Sequence, residues 1–287
     1  MKTILIATDF SGASRNAALY ALALAKEIDA NIYLVNSYKV SQPAAGLQLG
    51  VSRYDVMMQT DKRLLDEASQ LDPENKRMEI VCDEGEPAPT ILKLAMEKSA
   101  DFIVIGMKGS GKNIKKIFGS TATTLAQTCN IPVIIVPEKA GYTTPKKLVY
   151  ATDAVVPGST IPVELKEVTT LFDSRLFVVK VVNDNSECQS DTNTAIPHDE
   201  SGNSQVTFKY VVDTDINRAL DKFTRRHAAD MLVMMPHKHD WLEKLFKKSE
   251  TKEMIFHTNI PILILPEAHG NIHQTLQKES NGLTIKS

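Results

Sequence analysis

The residues of this chain best suited to chemistry lie in one run, IGMKGSGKNIKKIFGSTATTL, from Ile105 to Leu125. Gly106 directly follows an apolar stretch, where the chain must turn and a side chain would clash. Gly109 and Gly111 let backbone N–H groups come close to a ligand and form a concavity suited to an anion. Gly119, Ser120 and Thr121 precede the helix-periodic Ala122, Leu125 and Ala126. They therefore stand at a helix N-terminus, where unbonded N–H groups and the helix dipole favour phosphate. The hydroxyls of Ser120 and Thr121 add donors, and Lys108, Lys112, Lys115 and Lys116 add positive charge, although lysines at this spacing also describe a solvated helix face. Gly106-x4-Gly111-Lys112 nearly matches a Walker A loop, but Asn113 occupies the place of the magnesium-holding Ser or Thr. A G-x-G-x-x-G reading lacks its third glycine at Ile114.

The elements that must position this loop alternate between buried strand and amphipathic helix. Residues 3–8 form a near-continuous apolar run, as expected of a parallel strand buried on both faces. Ser11 or Gly12 opens a helix with Ala17, Tyr20, Ala21, Leu24 and Ile28 on one side. A strand at 31–35, a helix at 55–71 and a strand at 77–82 follow, then a helix with Pro89 near its start, and strands at 102–105 and 133–136. Five strands alternating with helices imply a parallel sheet covered on both faces, and ligands in such sheets sit at the C-terminal ends of the strands.

The pattern then repeats. Ile6-Ala7-Thr8-Asp9 returns as Tyr150-Ala151-Thr152-Asp153. The segment 100–104 (ADFIV) returns at 229–233 (ADMLV), and 130–138 (NIPVIIVPE) returns at 259–267 (NIPILILPE). The last two blocks share one offset, shorter than the first by about 15 residues, so the second copy has lost material between its first and second blocks. Strands are expected at 147–150, 176–182, 206–212, 231–234 and 262–265. Residues 183–204 are polar and carry no helical period, so the helix between the second and third strands is the one lost. The domains are read as 1–139 and 146–267, joined by a short linker, with a polar tail at 268–287. Each copy would leave its last strand as a sheet edge, and two such edges would pair to form an internal pseudo-dimer. Dimerisation of whole chains is also compatible with the pattern.

The spacing Gly106-x2-Gly109-x9-Gly119-Ser120-Thr121 resembles the ATP-binding signature of the universal stress protein family, G-x2-G-x9-G-[S/T]. Asp9 after the first strand, Gly85-x-Pro87 before a helix, the run 100–106 and Ile131-Pro132-Val133 ending at Pro137 agree with it. The resemblance covers both halves and implies two tandem five-stranded, doubly wound (Rossmann-like) α/β domains. It implies that Asp9 contacts the ribose or a phosphate-bound metal, with Ala7 and Thr8 beside it. Val35 would offer backbone groups to the adenine edge, and Gly106, Met107, Gly109, Gly119, Ser120 and Thr121 would line the phosphates of ATP bound with Mg2+. Asp9 also reads as a simple helix cap.

The second copy departs from the signature. Gly106, Gly109 and Gly119 correspond to Met235, Lys238 and Lys248, and Thr121 corresponds to Glu250, so only the first copy is expected to bind nucleotide. His237, His239 and Asp240 fall short of a metal set and read as a solvated loop.

The chain has 287 residues, 43% hydrophobic and 24% charged, with a net charge of −2, a balance that gives no field for nucleic acid or an anionic membrane. No apolar run approaches the ~20 residues that span a bilayer. Cys82, Cys129 and Cys188 suggest reduced thiols in a cytoplasmic protein. The seven histidines lie between residues 198 and 273, outside the first copy, and no nucleophile–base pair is visible. The expectation is a nucleotide-binding regulator and not an enzyme. The alternatives are a scaffold that binds no nucleotide and an adenylating or nucleotide-hydrolysing enzyme.

Overall fold

The computed structural model describes residues 1–40, 52–74, 78–108, 118–152, 161–183, 206–235 and 259–266. The first half runs β1 (Lys2–Ala7), α1 (Gly12–Ile28), β2 (Ala30–Tyr38), α2 (Arg53–Leu71), β3 (Met78–Glu84), α3 (Pro87–Glu97), β4 (Phe102–Gly106), α4 (Ser120–Thr128) and β5 (Val133–Val136). The second half runs β6 (Lys147–Ala151), α5 (Val163–Phe172), β7 (Arg175–Val182), β8 (Val206–Val212), α6 (Ile216–His227), β9 (Met231–Met234) and β10 (Ile262–Ile264). The alanine-rich α1 is capped by Ser11, whose hydroxyl accepts from Ser14 N–H, and stops at Asp29 in the left-handed region. A reciprocal capping box between Ser52 and Asp55 starts α2, and Pro87 opens α3 where its missing N–H is harmless.

The strands form a single ten-stranded sheet in the order β3-β2-β1-β4-β5-β10-β9-β6-β7-β8. Every neighbouring pair is parallel except β5 and β10, which run antiparallel with Ile262, Leu263 and Ile264 opposite Ile135, Ile134 and Val133. The expected edge strands therefore pair with each other, and the two doubly wound halves meet as an internal pseudo-dimer. Strand alternation divides the core between the faces. Ile4, Ile6, Leu34 and Val104 pack under α1 and α2, while Leu5, Ala7, Val35 and Ile105 pack under α3 and α4.

The duplication extends to individual hydrogen bonds. Asp101 accepts from Thr3 N–H at 2.8 Å and its own N–H donates to Thr3 O, and Asp230 makes the same pair with Lys147. Ile103 N–H donates to Pro132 O, as Leu232 N–H does to Pro261 O. The helix ends at Asp29 and Ser99 are left-handed, as are their counterparts Asp173 and Ala228.

Most boundaries lie within two residues of the sequence expectation, and the differences that matter for the site are at the ends of β2 and β3. β2 continues three residues past Val35 and β3 continues to Glu84, because the two go on pairing (Asn36 with Cys82, Ser37 with Asp83, Tyr38 with Glu84) after β1 has ended. The linker is docked on α1: Asn16 Nδ2 donates to both Pro137 O and Ala140 O at 2.9 Å, and the hydroxyls of Tyr142 and Thr144 donate to Glu27. The helix lost from the second copy and the polar tail fall on residues outside those described.

Cutting the chain after residue 145 would leave the backbone groups and apolar side chains of β5 without β10. Such a fragment is expected to self-associate through β5. Light scattering that finds a stable, dispersed monomer would contradict this role for the central strand pair.

Candidate functional site

In each half the strand order reverses between its first and fourth strands, which in the first half are β1 and β4. Crevices at such switch points are the usual ligand positions of open α/β sheets. Ala7, the last residue of β1, lies between Val35 on β2 and Ile105 on β4. Thr8 continues the line, its N–H donating to Val35 O at 2.9 Å while its own carbonyl accepts from Asn36 Nδ2 at 2.7 Å. The chain then turns. Asp9 Oδ1 accepts from Ser11 N–H at 3.1 Å, and Phe10 takes a left-handed φ of 63°, a conformation that costs an aromatic residue about 1–3 kcal/mol. The Arg63 guanidinium covers the Phe10 ring at 3.9 Å. Ser11, and not Asp9, is the cap of α1, so the Asp9 carboxylate shapes the turn that precedes the helix.

Gly106 ends β4 against the first turn of α1. A Cβ on it would stand 2.8 Å from Ala13 C and 2.9 Å from Ala13 O, so the glycine permits close packing of strand on helix. Beyond it, Met107 N–H donates to Val136 O at 2.8 Å, and Met107 O accepts from Gly119 N–H at 2.7 Å. This second bond closes the loop at its base and brings the start of α4 to the end of β4. Gly119 is the cap residue of α4 and supplies no side-chain acceptor, and the first turn holds no acid. The first intrahelical bond into that turn is Thr123 N–H to Gly119 O, which leaves the N–H groups of Ser120 and Thr121 facing the crevice end of the sheet.

Ala7, Thr8, Asp9, Gly106, Met107, Gly119, Ser120 and Thr121 thus converge at the C-terminal ends of β1 and β4. Gly109, with Gly111, Lys112, Lys115 and Lys116, lies outside the described residues, as do Asp153, His237, His239 and Asp240. Val35 is placed differently from expectation: it is mid-strand, fully buried, and its carbonyl is taken by Thr8. Tyr38 O accepts from Gly85 N–H on the β3 side, so alternation turns the backbone groups of Ser37 toward the side where β1 has ended. Ser37 is the β2 residue whose backbone meets the crevice.

Sequence reasoning missed Glu67. It is a carboxyl only 8% exposed, on the same face of α2 as Thr60, Leu64, Ala68 and Leu71, with Oε2 2.9 Å from Thr8 Oγ1. Burial pushes its pKa up, opposed by the Thr8 hydroxyl and the Arg15 and Arg63 charges. The available signal was an acid in register with an apolar helical stripe. Among the described residues no group of three His, Cys, Asp or Glu could hold a metal. The Cys82 thiol donates to Asp61 Oδ1 at 2.9 Å, and burial pushes it up to about 12.

The second half keeps the scaffold: Thr152 N–H donates to Val179 O at 3.0 Å, as Thr8 does to Val35. Met235 stands in place of Gly106 and is buried. Gly106→Ala is expected to lower stability by about 1–3 kcal/mol, because backbone on both sides must shift. Gly12→Ala, which meets only the Glu138 carboxylate at 3.8 Å, should stay within about 0.5 kcal/mol of wild type. Chemical denaturation of both variants checks the contrast.

The family model described as "Universal stress protein family" matches residues 1–137. A universal stress protein of Methanocaldococcus jannaschii is 31% identical over 140 residues, spanning 47% of this chain and 81% of that protein. The stress response protein NhaX of Bacillus subtilis is 29% identical over 159 residues, spanning 46% of this chain and 96% of that one. The crystal structure of a universal stress protein from Archaeoglobus fulgidus superimposes with a TM-score of 0.66 at 17% identity, covering 92% of this chain and 98% of that chain, a likeness of fold across both halves. With this match in sequence and fold, the chain belongs to the universal stress protein family.

Proposed function

We propose that this protein is a stress-response regulator that binds one adenine nucleotide, ATP with Mg2+, at the β1–β4 crevice of its first half. The observation that carries the reading is the bond from Gly119 N–H to Met107 O, which sets the acid-free, uncapped N-terminus of α4 at the end of β4. Donors there suit phosphate oxygens. Asp9, one turn before α1, suits a ribose hydroxyl, and the Ser37 backbone suits the edge of a base. With no cluster of metal-binding side chains among the described residues, the magnesium ion would be held chiefly by the phosphates themselves. Met107 and Phe118, both buried, close the apolar side of the crevice toward α3 and α4.

Binding by the first half alone follows from what the second has lost. A buried Met235 occupies the place of Gly106, and the sequence puts Lys238, Lys248 and Glu250 where the loop glycines and Thr121 stand in the first half. The reading is of a binder and not an enzyme, because turnover needs a group that orients water and the histidines all lie beyond the first half. A nucleotide-binding regulator of this kind would work in the cytoplasm, where ATP is available. Among the described residues no helix is long and apolar enough to cross a membrane.

Isothermal titration of the full chain with Mg·ATP tests this directly. One equivalent per chain is expected, weakened at least about tenfold by Gly119→Glu, whose carboxylate would repel phosphate at the helix start. Two equivalents, or one that survives Gly119→Glu and disappears with a change in the second half, would refute the assignment.

A further inference from the structure

Beneath the crevice, on the α1–α2 face of the sheet, a chain of hydroxyls joins the buried Glu67 to the cap of α1. The Thr8 hydroxyl lies 2.9 Å from Glu67 Oε2 and 3.1 Å from Ser14 Oγ, and it accepts from Phe10 N–H at 3.0 Å. Ser14 Oγ donates to Ser11 O at 2.9 Å and lies 3.3 Å from Ser11 Oγ, which in turn accepts from Ser14 N–H. Thr8 has a single hydroxyl proton and two candidate acceptors, so it satisfies one of them at a time.

The protonation state of Glu67 decides which. With Glu67 ionised, Thr8 donates to the carboxylate and Ser14 Oγ accepts from Ser11. With Glu67 protonated, its own O–H donates to Thr8 Oγ1, Thr8 donates to Ser14 Oγ, and the Ser11 hydroxyl is released. Glu67, Thr8 and Ser14 stay bonded in both arrangements, and only the bond between Thr8 and Glu67 changes direction. A cleft of about 260 Å³ lined by Phe10, Ser11, Arg15, Arg63, Glu67 and Gln70 gives protons a route in from solvent.

We propose that Glu67 is a positioning residue for the nucleotide site, holding the turn at Thr8, Asp9 and Phe10 through Thr8 and making nucleotide affinity depend on its proton. The inference rests on the ATP reading above. The groups facing Glu67 are the Thr8 hydroxyl at the end of β1, Asp9 in the turn, Arg15 on α1, and Arg63, Asp66 and Gln70 on α2 itself. Arg15 donates to Gln70 Oε1 at 2.9 Å and Arg63 is stacked on Phe10, so neither makes a close ion pair with Glu67. Burial favours its neutral form, and a bound polyanion above Thr8 favours that form further. Binding of nucleotide and of a proton to Glu67 are therefore coupled with positive sign. The second half keeps Thr152, whose N–H donates to Val179 O at 3.0 Å.

The test is Mg·ATP affinity of the full chain between about pH 8 and 5.5, for wild type and for Glu67→Gln, which keeps the shape and a hydrogen bond to Thr8 without the charge. Wild type is expected to tighten by about fivefold as the pH falls, beyond any change seen in Glu67→Gln, which should already bind as tightly at high pH as wild type does at low pH. Comparing the two proteins removes the titration of the nucleotide itself. Identical pH profiles would overturn the role of Glu67 while leaving the nucleotide site intact. Absence of binding in both proteins at every pH would overturn the nucleotide reading, and this inference with it. If Glu67→Gln does not fold, calorimetry of wild type at about pH 7, where Mg·ATP is fully ionised, in buffers of different ionisation enthalpy replaces it: proton uptake on binding supports the proposal, and its absence refutes it.

Discussion

β1 is hydrogen-bonded to β2 on one side and to β4 on the other, both parallel, so all three strands present their C-terminal ends on the same side of the sheet. Alternation along β1 then fixes what each residue near that end can do. Ala7 faces α3 and α4, Thr8 faces α1 and α2, and Asp9 falls in the turn beyond the last strand bond. A slip of one residue would exchange these roles and bury the wrong side chain. The register is secured by Thr8 N–H on Val35 O at one end and by the paired bonds between Thr3 and Asp101 at the other.

The close approach of β4 to α1 is the second constraint. Because Gly106 has no side chain, the β4 end and the first turn of α1 come together, and the loop that follows returns to Met107 through Gly119. One small residue thereby joins three helix or strand ends. The second half retains the β6–β7 bond at Thr152 but puts a buried methionine at the corresponding place, so its scaffold survives without the approach. Joining β5 to β10 lets that half serve the first by covering an apolar sheet edge, and the linker docked along Asn16, Tyr20 and Glu27 ties it to the helix that borders the crevice.

The sequence made the architecture readable because both of its signals are local. Apolar runs such as ILIA and FIVI can only be buried parallel strands here, and the repeated NIP blocks mark the last strand of each half. Glycine spacing made the meeting of β4 with the start of α4 readable for the same reason. The end of β2 was not readable, because Asn36, Ser37 and Tyr38 are polar or amphipathic and their strand state depends on β3 alongside them. The expectation that Val35 ends β2 follows from that misplaced boundary. Glu67 escaped because it lies 59 residues from Thr8 in sequence, and only the packing of α2 on the sheet brings the two together.

The central claim is that nucleotide binds at one of two similar crevices. Hydrogen–deuterium exchange on the full chain with and without Mg·ATP tests it most directly, because it reads both crevices in a single experiment. The account predicts slowed exchange at residues 8–11, 107–108 and 119–122, and unchanged exchange at 152 and 235. Equal protection in both halves, or protection confined to the second, would contradict it.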